Sequence, residues 1–385
     1  MKNKIGIIGG GPAGLMAAIK ASEYNDVILF EKNDSCGKKL LMTGNGRCNI
    51  INNKDVRNFL EHCNKDSKFL YYSLNTFGPK EIIDFFNENG CKLKEESDNK
   101  MFPISNKAIT VLTTLMSYCK NVEFKYNHTV NEIVYKDDLV TGVIANGEYF
   151  ELDSLIICSG GLSYPSTGST GDGYSFLKKV GHTITKLKAC EVSLLSDNPD
   201  ILNKSLMGLS LSDKLVEVIV NNKIVAKARG DLMFTHFGLT GPVILNLSEK
   251  ALDYNEAYIR INNEVDSFSG FYDIRQKITV PKRYWEYLIK DIEQKPFEQI
   301  SKKEKQKILE KIKYQSFKIT GPLSIEKAII TNGGVNCNEF DRKTLQSKIV
   351  SNLYVCGEIL NVHGFVGGYN LTLALSSGYL AGSNV

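Results

Sequence analysis

The sequence predicts an α/β protein in which the two ends of the chain build one domain and the middle is inserted between them. An apolar strand, a glycine-rich turn and a helix follow one another near the N-terminus, and a similar pattern returns at the C-terminus. Between them lie short alternating runs and then a lysine-rich helical stretch. The predicted parts are 1–188 and 326–385 for the two-part domain, 189–265 for a β-rich insert and 266–325 for a basic helical segment.

The first 22 residues have the pattern of a Rossmann-like dinucleotide-binding turn. An apolar strand over 5–8 leads directly into GGGPAG, a GxGxxG match, and a helix rich in Ala, Leu and Met follows. Gly9 permits the tight turn, Gly11 lets a pyrophosphate approach the backbone, and Gly14 lets the helix pack closely on the strand. The free amides of the helix N-terminus then face the phosphates. A purely structural turn is the alternative.

A second buried strand over 27–30 ends at Glu31, 17 residues after Gly14. A carboxylate at this position accepts hydrogen bonds from both ribose hydroxyls of an adenosine. It therefore favours an unphosphorylated ribose, which means FAD or NAD rather than NADP.

The segment 37–49 is predicted to be an irregular loop close to the cofactor, because it is too rich in glycine and polar residues for a regular element. Lys38, Lys39 and Arg47 are placed to neutralise phosphate, although a solvated loop would have the same composition.

The rest of the first part predicts two amphipathic helices, a small sheet and another buried strand. The helices cover 69–90 and 107–120, and a three-stranded meander covers 122–153 with its turn at Asp137-Asp138. A strand over 155–158 then ends in small residues, as in strands that pass beneath a dinucleotide. The polar loop 167–173 opens a helix that runs to about 181.

The insert changes from strand to helix along its length. Alternating β runs cover 189–261, with a turn before a helix that begins near Pro242. Residues 272–313 are predicted to be helical. The segment 266–325 holds 13 Lys and Arg against 8 Asp and Glu, a net charge of +5 in a chain of net +4. These lysines form either a solvated helix face or a contact with a phosphate backbone.

The C-terminal pattern decides between the two cofactors. The strand 353–356 runs into Gly357 and Glu358, and glycines at 364, 367 and 368 precede a helix over 371–381. Glu358 is placed to accept from a ribityl hydroxyl, and the helix dipole can face the flavin edge where negative charge builds on reduction. Paired with the N-terminal unit, this favours tightly bound FAD over NAD.

Composition excludes several other classes of protein. The nine cysteines show no CxxC spacing, which disfavours a dithiol redox pair, a zinc ribbon and a secreted disulfide framework. The apolar run 5–19 is interrupted by glycines and is shorter than a transmembrane helix. We therefore expect a soluble, cytoplasmic protein with no bound metal.

Six segments of the chain resemble one family in order along almost the whole sequence. They are GGGPAGLMAA, GKKLLMTGNGRCNI, SGGLSYPSTGSTGDGY, MFTHFGLTGP, ITNGGV and VCGEILNVHGFVGGYNL, and they are similar to the BaiN/RdsA-type NAD(P)/FAD-dependent oxidoreductases. The resemblance implies a two-part FAD domain with an inserted β and helical portion. Family members are described as reducing a steroid enone, as making dihydrouridine in ribosomal RNA, or as aminoacetone oxidases.

One departure from the family concerns the last motif. Members usually have G-E-x-L-D-x-D-G, whereas Asn361 and His363 stand here in place of the two aspartates. Negative charge near the flavin is therefore lower, and a catalytic role for those acids is in doubt.

The resemblance and the motifs together predict the site residues. Cys48 is the first candidate proton donor, with packing as its alternative role, and His236, His363 and Tyr369 are further candidates. The predicted cofactor-binding residues are Gly9, Gly11, Pro12, Ala13, Gly14, Glu31, Lys32, Lys39, Leu40, Gly46, Arg47, Cys48, Asn49, Val130, Ser159, Gly160, Gly161, Asp172, Gly357, Glu358, Gly367, Gly368, Tyr369, Asn370 and Leu371.

Three functions are consistent with these residues. The first is reduction, driven by transiently bound NAD(P)H, of a C=C bond conjugated to a carbonyl, either in a uracil ring of ribosomal RNA or in a small enone. The second is an FAD-dependent amine oxidase that uses oxygen, and the third is a non-enzymatic FAD protein that binds nucleic acid. No membrane partner is expected, and a homodimer is left open.

Overall fold

The computed structural model describes residues 2–267, 269–292 and 296–385. The chain divides into two compact units, one formed by the residues up to Lys188 together with Ile330–Val385, the other by Ala189–Ile329. A parallel sheet with helices and additional antiparallel sheets make up these units, which confirms the predicted α/β class. Among the described helices, none combines the length and the apolar character needed to cross a membrane.

The bounds of the elements follow in chain order. Up to residue 157 the strands are β1 (Lys4–Ile8), β2 (Asp26–Glu31), β3 (Ile51–Asn52), β4 (Leu93–Glu96), β5 (Lys100–Pro103), β6 (Val122–Tyr126), β7 (Val130–Lys136), β8 (Leu139–Ala145), β9 (Glu148–Glu151) and β10 (Ser154–Ile157). The helices up to residue 179 are α1 (Pro12–Ala21), α2 (Lys38–Met42), α3 (Val56–Leu60), α4 (Tyr71–Thr76), α5 (Pro79–Glu88), α6 (Ala108–Tyr118) and α7 (Asp172–Lys179).

The remaining strands are β11 (Lys188–Cys190), β12 (Leu194–Leu195), β13 (Ser210–Val220), β14 (Lys223–Phe234), β15 (Gly238–Thr240), β16 (Ala257–Asn262), β17 (Tyr314–Ile319), β18 (Gly321–Pro322), β19 (Ile330–Asn332) and β20 (Leu353–Val355). The remaining helices are α8 (Pro199–Leu202), α9 (Pro242–Leu252), α10 (Phe271–Lys277), α11 (Lys282–Ile289), α12 (Lys302–Lys313) and α13 (Tyr369–Asn384).

A parallel sheet of order β20–β10–β1–β2–β6 is the centre of the first unit. Its strands are short apolar runs, and Ile5, Ile7, Leu29 and Ile156 are completely buried, as expected where helices cover both faces of a parallel sheet. The last segment of the chain supplies β20, which pairs with β10. Ligands bind such sheets in the crevice at the carboxyl ends of the strands, and that edge carries the candidate site.

Helix α13 packs on α1 by way of two glycines one helical turn apart. A Cβ atom at Gly378 would overlap the carbonyl oxygen of Ala13, and one at Gly382 would overlap that of Ala17. The absence of side chains therefore lets the two helix backbones approach each other closely. This contact joins the C-terminal segment of the first unit to its N-terminal βαβ unit.

The predicted three-stranded meander exists, but it is shorter than predicted. Strands β7, β8 and β9 form it, whereas Val122–Tyr126 pairs in parallel with β2 as an edge of the main sheet. The predicted turn is present: Asp137 and Asp138 have φ angles of 51° and 59°, as a two-residue hairpin turn requires. The prediction was wrong at 122–126 because short alternating runs do not reveal which sheet they join.

Two further predictions need correction, one of a helix and one of an irregular loop. Residues 69–90 do not form one helix, because the chain turns at Gly78 between α4 and α5; there a Cβ would overlap the Leu74 carbonyl oxygen. The segment 37–49 is not wholly irregular, since it contains α2 and a 3-10 turn over Thr43–Gly46. Gly37 and Gly46, which both have positive φ, stand at the start of α2 and at the end of the 3-10 turn.

The second unit is built on an antiparallel sheet of order β17–β16–β13–β14–β15–β12–β18. Helix α9 begins at Pro242, as predicted, and the core includes Phe234, Tyr284 and Phe317. The segment 266–325 is not purely helical: α10, α11 and α12 are separate helices, and the chain then returns to the sheet through β17 and β18. Of the predicted helical stretch, 293–295 lie outside the described residues.

Candidate active site

A cleft of about 110 Å³ opens at the carboxyl ends of β1, β2 and β10 in the first unit. It is lined by Gly9, Gly10, Gly11, Pro12, Phe30, Glu31, Lys32, Gly37, Lys38, Lys39, Leu40, Cys158, Ser159, Gly160, Thr167, Gly168, Ser169 and Glu358. Residues from both ends of the chain therefore line one cleft.

The three glycines of the N-terminal turn have three different environments. Gly9 has φ of 106°, and a Cβ there would lie 2.6 Å from the Cys158 carbonyl oxygen. A Cβ at Gly14 would overlap the Gly9 carbonyl oxygen. At Gly11, by contrast, an added Cβ meets no atom of the described residues within 4 Å, so this backbone faces the open cleft. Gly9 and Gly14 therefore serve the fold, and Gly11 leaves room for a ligand.

The N-terminus of α1 lies at this opening. Gly11 is its N-cap with no side-chain cap, and Pro12 is its first residue. The first amides of the helix are therefore left for another acceptor, and the helix dipole adds positive potential. An anionic group such as a pyrophosphate fits this end of the cleft.

Glu31 is held rigidly at the end of β2. Its Oε2 accepts from the Gly10 amide at 2.8 Å, and its Oε1 accepts from the Asn33 amide at 2.8 Å. The residue is only 8% exposed, yet it lines the cleft. The carboxylate is thus oriented before any ligand arrives, and its further lone pairs can accept ribose hydroxyls.

A polar network joins the first and last parts of the unit across the cleft. The Lys39 Nζ lies 2.9 Å from Glu358 Oε2 and 2.8 Å from Ser163 Oγ. Ser163 donates to Glu358 Oε1 at 3.0 Å, and the Thr331 amide donates to the same oxygen at 3.1 Å. Glu358 is therefore fixed by partners from three distant segments, which orients it toward the cleft that it lines.

A second ion pair involves Lys32, another residue that lines the cleft. Lys32 pairs with Asp172, and its Nζ also lies 2.6 Å from Thr170 Oγ1. Asp172 is the first residue of α7, so this pair joins the residue after β2 to the start of that helix. Lys32 and Asp172 were predicted to bind the cofactor, and the structure brings them together as an ion pair.

The cleft passes a test of fit for the adenosine diphosphate half of FAD. Its backbone is open at Gly11, a helix N-terminus faces it, and a fixed carboxylate stands at Glu31. In addition, the buried Ser159 Oγ lacks a hydrogen-bond partner among the described residues. An unpaired buried hydroxyl is costly, and a polar ligand over this strand end would satisfy it.

The residues predicted to face the flavin half surround the start of α13. Gly367 and Gly368 have positive φ angles of 134° and 95°, and a Cβ at Gly368 would overlap the Ile51 backbone. The Asn370 side chain makes two 2.8 Å hydrogen bonds to the Gly364 backbone, as donor and as acceptor. The helix N-terminus is thereby fixed, and the following Leu371 is half-buried.

Tyr369 is buried at the first position of α13. Its ring stacks on His62 with centroids 5.4 Å apart, and Phe59 packs at 4.9 Å. Burial raises the pKa of the Tyr369 phenol to about 12, with a further contribution from Cys63. His62 is half-buried, and its Nε2 lies 3.0 Å from Lys54 Nζ. The sequence analysis missed His62 and Lys54, because nothing in a local motif distinguishes them.

Cys48 lies away from the cleft lining and is completely buried. Burial raises the pKa of its thiol to about 12, partly offset by a hydrogen bond with Thr43. The neighbouring Arg47 pairs with Glu96 and Asn106 and stacks over Phe102 at 4.2 Å. These contacts direct Arg47 to β4 and β5, so its role as a phosphate ligand stays a prediction, as do those of Gly46, Asn49 and Val130.

The two candidate histidines lie in different units. His363 is buried in the first unit, where its backbone accepts from the Asn64 amide at 2.8 Å. Asn361, which replaces a family aspartate, donates to Asp66 Oδ2 at 2.8 Å. A carboxylate is therefore present beside this motif after all, supplied by another segment. His236 is exposed in the second unit, before β15.

Several residues of the cleft and of its polar network were missed by the sequence analysis. Ser169 lines the cleft, and Ser163 and Thr331 bind Glu358. The two serines lie in a loop and Thr331 lies in the short strand β19, so their positions follow from the fold. The loop 167–169 was predicted only to open a helix, yet Thr167, Gly168 and Ser169 line the cleft. The run SGGLSYPSTGSTGDGY could have indicated these residues, because its glycines and hydroxyl groups follow a strand that ends at the cleft.

The two-part Rossmann-like fold and the family match together define the class of protein as a flavoprotein oxidoreductase. The model of the HI0933-like protein Rossmann domain matches residues 3–384. The chain therefore belongs to the HI0933-like family, as the motif resemblance predicted.

Relatives in this family carry two different names. The chain is 28% identical to a 3-dehydro-bile acid delta(4,6)-reductase of Clostridium scindens, over 99% of this chain and 98% of that protein. It is also 28% identical to a ribosomal RNA dihydrouridine synthase of Escherichia coli, over 97% and 95%. This chain is similar to both relatives over nearly their full length, so the sequence similarity includes the inserted unit.

Solved structures with the same fold are more distant in sequence. A 3-ketosteroid delta1-dehydrogenase of Sterolibacterium denitrificans has a TM-score of 0.52 at 13% identity, covering 99% of both chains. The quinol-fumarate reductase of Escherichia coli has a TM-score of 0.54 at 14% identity, covering all of this chain and 69% of that one. At such identities the likeness shows a shared fold.

Proposed function

We propose that this protein reduces a C=C bond conjugated to a carbonyl, with FAD as the resident cofactor and NAD(P)H as a transient electron donor. The observation that carries the proposal is the cleft, whose open Gly11 backbone and fixed Glu31 suit the adenosine diphosphate half of FAD. Both named relatives add two hydrogens to such a C=C bond, in a steroid or in uridine.

The chain's own residues have two tasks in this reaction. Bound FAD supplies the hydride. The protein must orient the acceptor and hold a proton for the α carbon, and a proton donor must be protonated at neutral pH. The raised pKa values of Tyr369 and Cys48 both meet that condition.

The surroundings of the two donors differ, although neither residue is among those that line the cleft. Cys48 is completely buried, and its thiol is hydrogen-bonded to Thr43. Tyr369 begins α13, and its ring stacks on the half-buried His62. This arrangement favours Tyr369 as the proton donor and packing as the role of Cys48. His62 beside Lys54 is placed to restore the proton.

The uracil ring of ribosomal RNA is the acceptor we favour, because the second unit carries the basic segment 266–325 with its net charge of +5. Phosphates of RNA are attracted to such a surface without sequence preference. A small enone such as a steroid needs no basic surface, so it is the alternative acceptor within the same chemistry.

The test is an anaerobic pair of half-reactions with the flavin-loaded protein. NADH or NADPH should bleach the flavin, and either a ribosomal RNA fragment or a steroid enone should restore its colour and yield the hydrogenated product. The product, identified by mass, decides between the two acceptors. Flavin that is reoxidised by oxygen alone, with turnover of an amine, would instead support the amine-oxidase function.

A further inference from the structure

We propose that Cys158 and Cys356 form an oxidisable dithiol that closes to a disulfide beside the cofactor cleft, which Cys158 lines. Their sulfur atoms lie 3.0 Å apart, although 198 positions separate them in the sequence. A disulfide between them would tie the first part of the two-part domain to the last. The proposal goes beyond the reductase function and does not depend on it.

The register of the parallel sheet places the two residues side by side. Strands β10 and β20 pair Ile157 with Val355, and Cys158 and Cys356 are the next residues on each strand. The Cys356 amide donates to the Ile157 carbonyl at 3.1 Å, which keeps the strands paired to their ends. Neighbouring strands are about 4.8 Å apart, and disulfides span Cα separations of roughly 4.4–6.8 Å. The backbone therefore needs little movement to form the bond.

The surroundings fix both side chains. Cys356 is completely buried and Cys158 is 6% exposed. Cys158 lines the cleft, and its Cβ would lie 3.5 Å from a Cβ added at Gly14. Because the two sulfur atoms already lie 3.0 Å apart in this enclosed space, we expect an oxidised Cys158 to react with Cys356 first.

The chemistry balances with hydrogen peroxide as the two-electron oxidant. The Cys158 sulfur attacks one peroxide oxygen, which gives a sulfenic acid and one water molecule. The Cys356 sulfur then displaces the sulfenic hydroxyl, forming the S–S bond and a second water. Burial raises the pKa of Cys158 well above its ordinary value, so the thiolate is scarce and the first step is slow near neutral pH and faster in alkali.

The test uses the flavin-loaded protein treated with hydrogen peroxide at pH values on either side of the thiol's ordinary range. After unfolding in an alkylating reagent, the number of free thiols should fall from nine to seven. A linked pair of peptides containing Cys158 and Cys356 should appear and vanish after reduction. Closing a loop of this length should also raise the thermal midpoint of the oxidised protein.

Variants separate this pair from other cysteines. Cys158→Ala and Cys356→Ala should each retain all remaining thiols after peroxide. Cys337→Ala, at a buried cysteine whose sulfur faces the Val335 carbonyl oxygen, should still lose two. Oxidation of the half-exposed Met42 shows that peroxide reached the protein. Wild-type protein with oxidised Met42 and nine free thiols, or with a different linked pair, would overturn the proposal even if a variant fails to fold.

Discussion

Gly378 in α13 lies so close to the carbonyl group of Ala13 in α1 that a Cβ at 378 would overlap the carbonyl oxygen. The contact holds the C-terminal helix against the helix whose N-terminus opens on the cleft. The cleft thus depends on a close approach of backbones from the two ends of the chain.

Gly378→Ala should lower stability by about 1–3 kcal/mol, because the added methyl must push the two helices apart. The expected result is a lower denaturant midpoint together with weaker retention of FAD. Ser383→Ala, at an exposed position of the same helix, is the control and should change neither. Equal midpoints for the wild type and the Gly378 variant would mean that the helices separate without cost.

Gly11→Val should abolish FAD binding and leave the fold intact. The Gly11 backbone has φ of −79°, which valine adopts readily, and in the part of the chain that the structure describes an added Cβ meets no atom within 4 Å. The side chain would instead occupy the position of the pyrophosphate. Bound flavin is measured by visible absorbance after gel filtration, and folding by circular dichroism.

The paired variant for this test is Gly14→Val. A Cβ at 14 overlaps the Gly9 carbonyl oxygen, so this variant should lose the fold itself. A yellow Gly11→Val protein, or a Gly14→Val protein as stable as the wild type, would contradict the roles assigned to the two glycines. Released nucleotide without adenine would contradict FAD.

Tyr369→Phe should slow reoxidation of the reduced flavin by the unsaturated acceptor about 10²–10⁴-fold, the usual contribution of a general acid. The rate of flavin reduction by NAD(P)H should be nearly unchanged, since the protein transfers no proton to the acceptor in that half-reaction. Stopped-flow absorbance follows the two half-reactions separately.

Cys48→Ala is the companion measurement. Because its thiol is enclosed, we expect both half-reactions to keep nearly their wild-type rates and the stability to fall by about 1 kcal/mol for the small cavity. A selective loss of reoxidation in this variant, with Tyr369→Phe unaffected, would make Cys48 the proton donor.

Asn361→Asp should destabilise the protein in a pH-dependent manner. The Asn361 amide now donates to Asp66 at 2.8 Å, and the variant would place two carboxylates in contact. One of them would then have a folded-state pKa above its unfolded value of about 4. The destabilisation is therefore largest near neutral pH and disappears as the pH falls below that unfolded value.

Thermal midpoints between acid and neutral pH measure this effect. Asn338→Asp, which adds the same charge at an exposed position, should show no such loss on raising the pH. If the thermal midpoint of Asn361→Asp equals that of the wild type at neutral pH, Asp66 must move away from the new carboxylate without cost.

The sequence was informative wherever the structure is local. The turn at Gly9, the helix after it and the position of Glu31 follow from a contiguous pattern, and so does the helix at Pro242. The network of Lys39, Ser163 and Glu358 could not be foreseen, because its members are 124 and 319 positions from Lys39. The burial of Cys48 likewise depends on packing near Cys91, which lies in another segment.

The last prediction concerns Lys302, Lys303, Lys305 and Lys307 in α12. Lys302 and Lys303 are exposed in the first turn of this helix, although a box of Ser301 and Glu304 caps its N-terminus. Positive charges there oppose the helix dipole, so a bound phosphate would remove an unfavourable interaction. If these lysines contact RNA, changing all four to Gln should weaken RNA binding and flatten its dependence on salt.

Each lost phosphate contact should lower the magnitude of the slope of log K against log salt by roughly 0.7–0.9. Binding of a ribosomal RNA fragment is measured across a salt series, with the double variant Lys178→Gln and Lys179→Gln as the control, because both residues are exposed in the first unit at the end of α7. Flavin content and NAD(P)H oxidation should be unchanged in both variants, since neither group of lysines lines the cleft.

An unaltered slope in the quadruple variant would mean that the four lysines of α12 only keep an exposed helix solvated. Nothing would then favour ribosomal RNA as the acceptor, and a small unsaturated carbonyl compound would become the favoured acceptor of the same reductase.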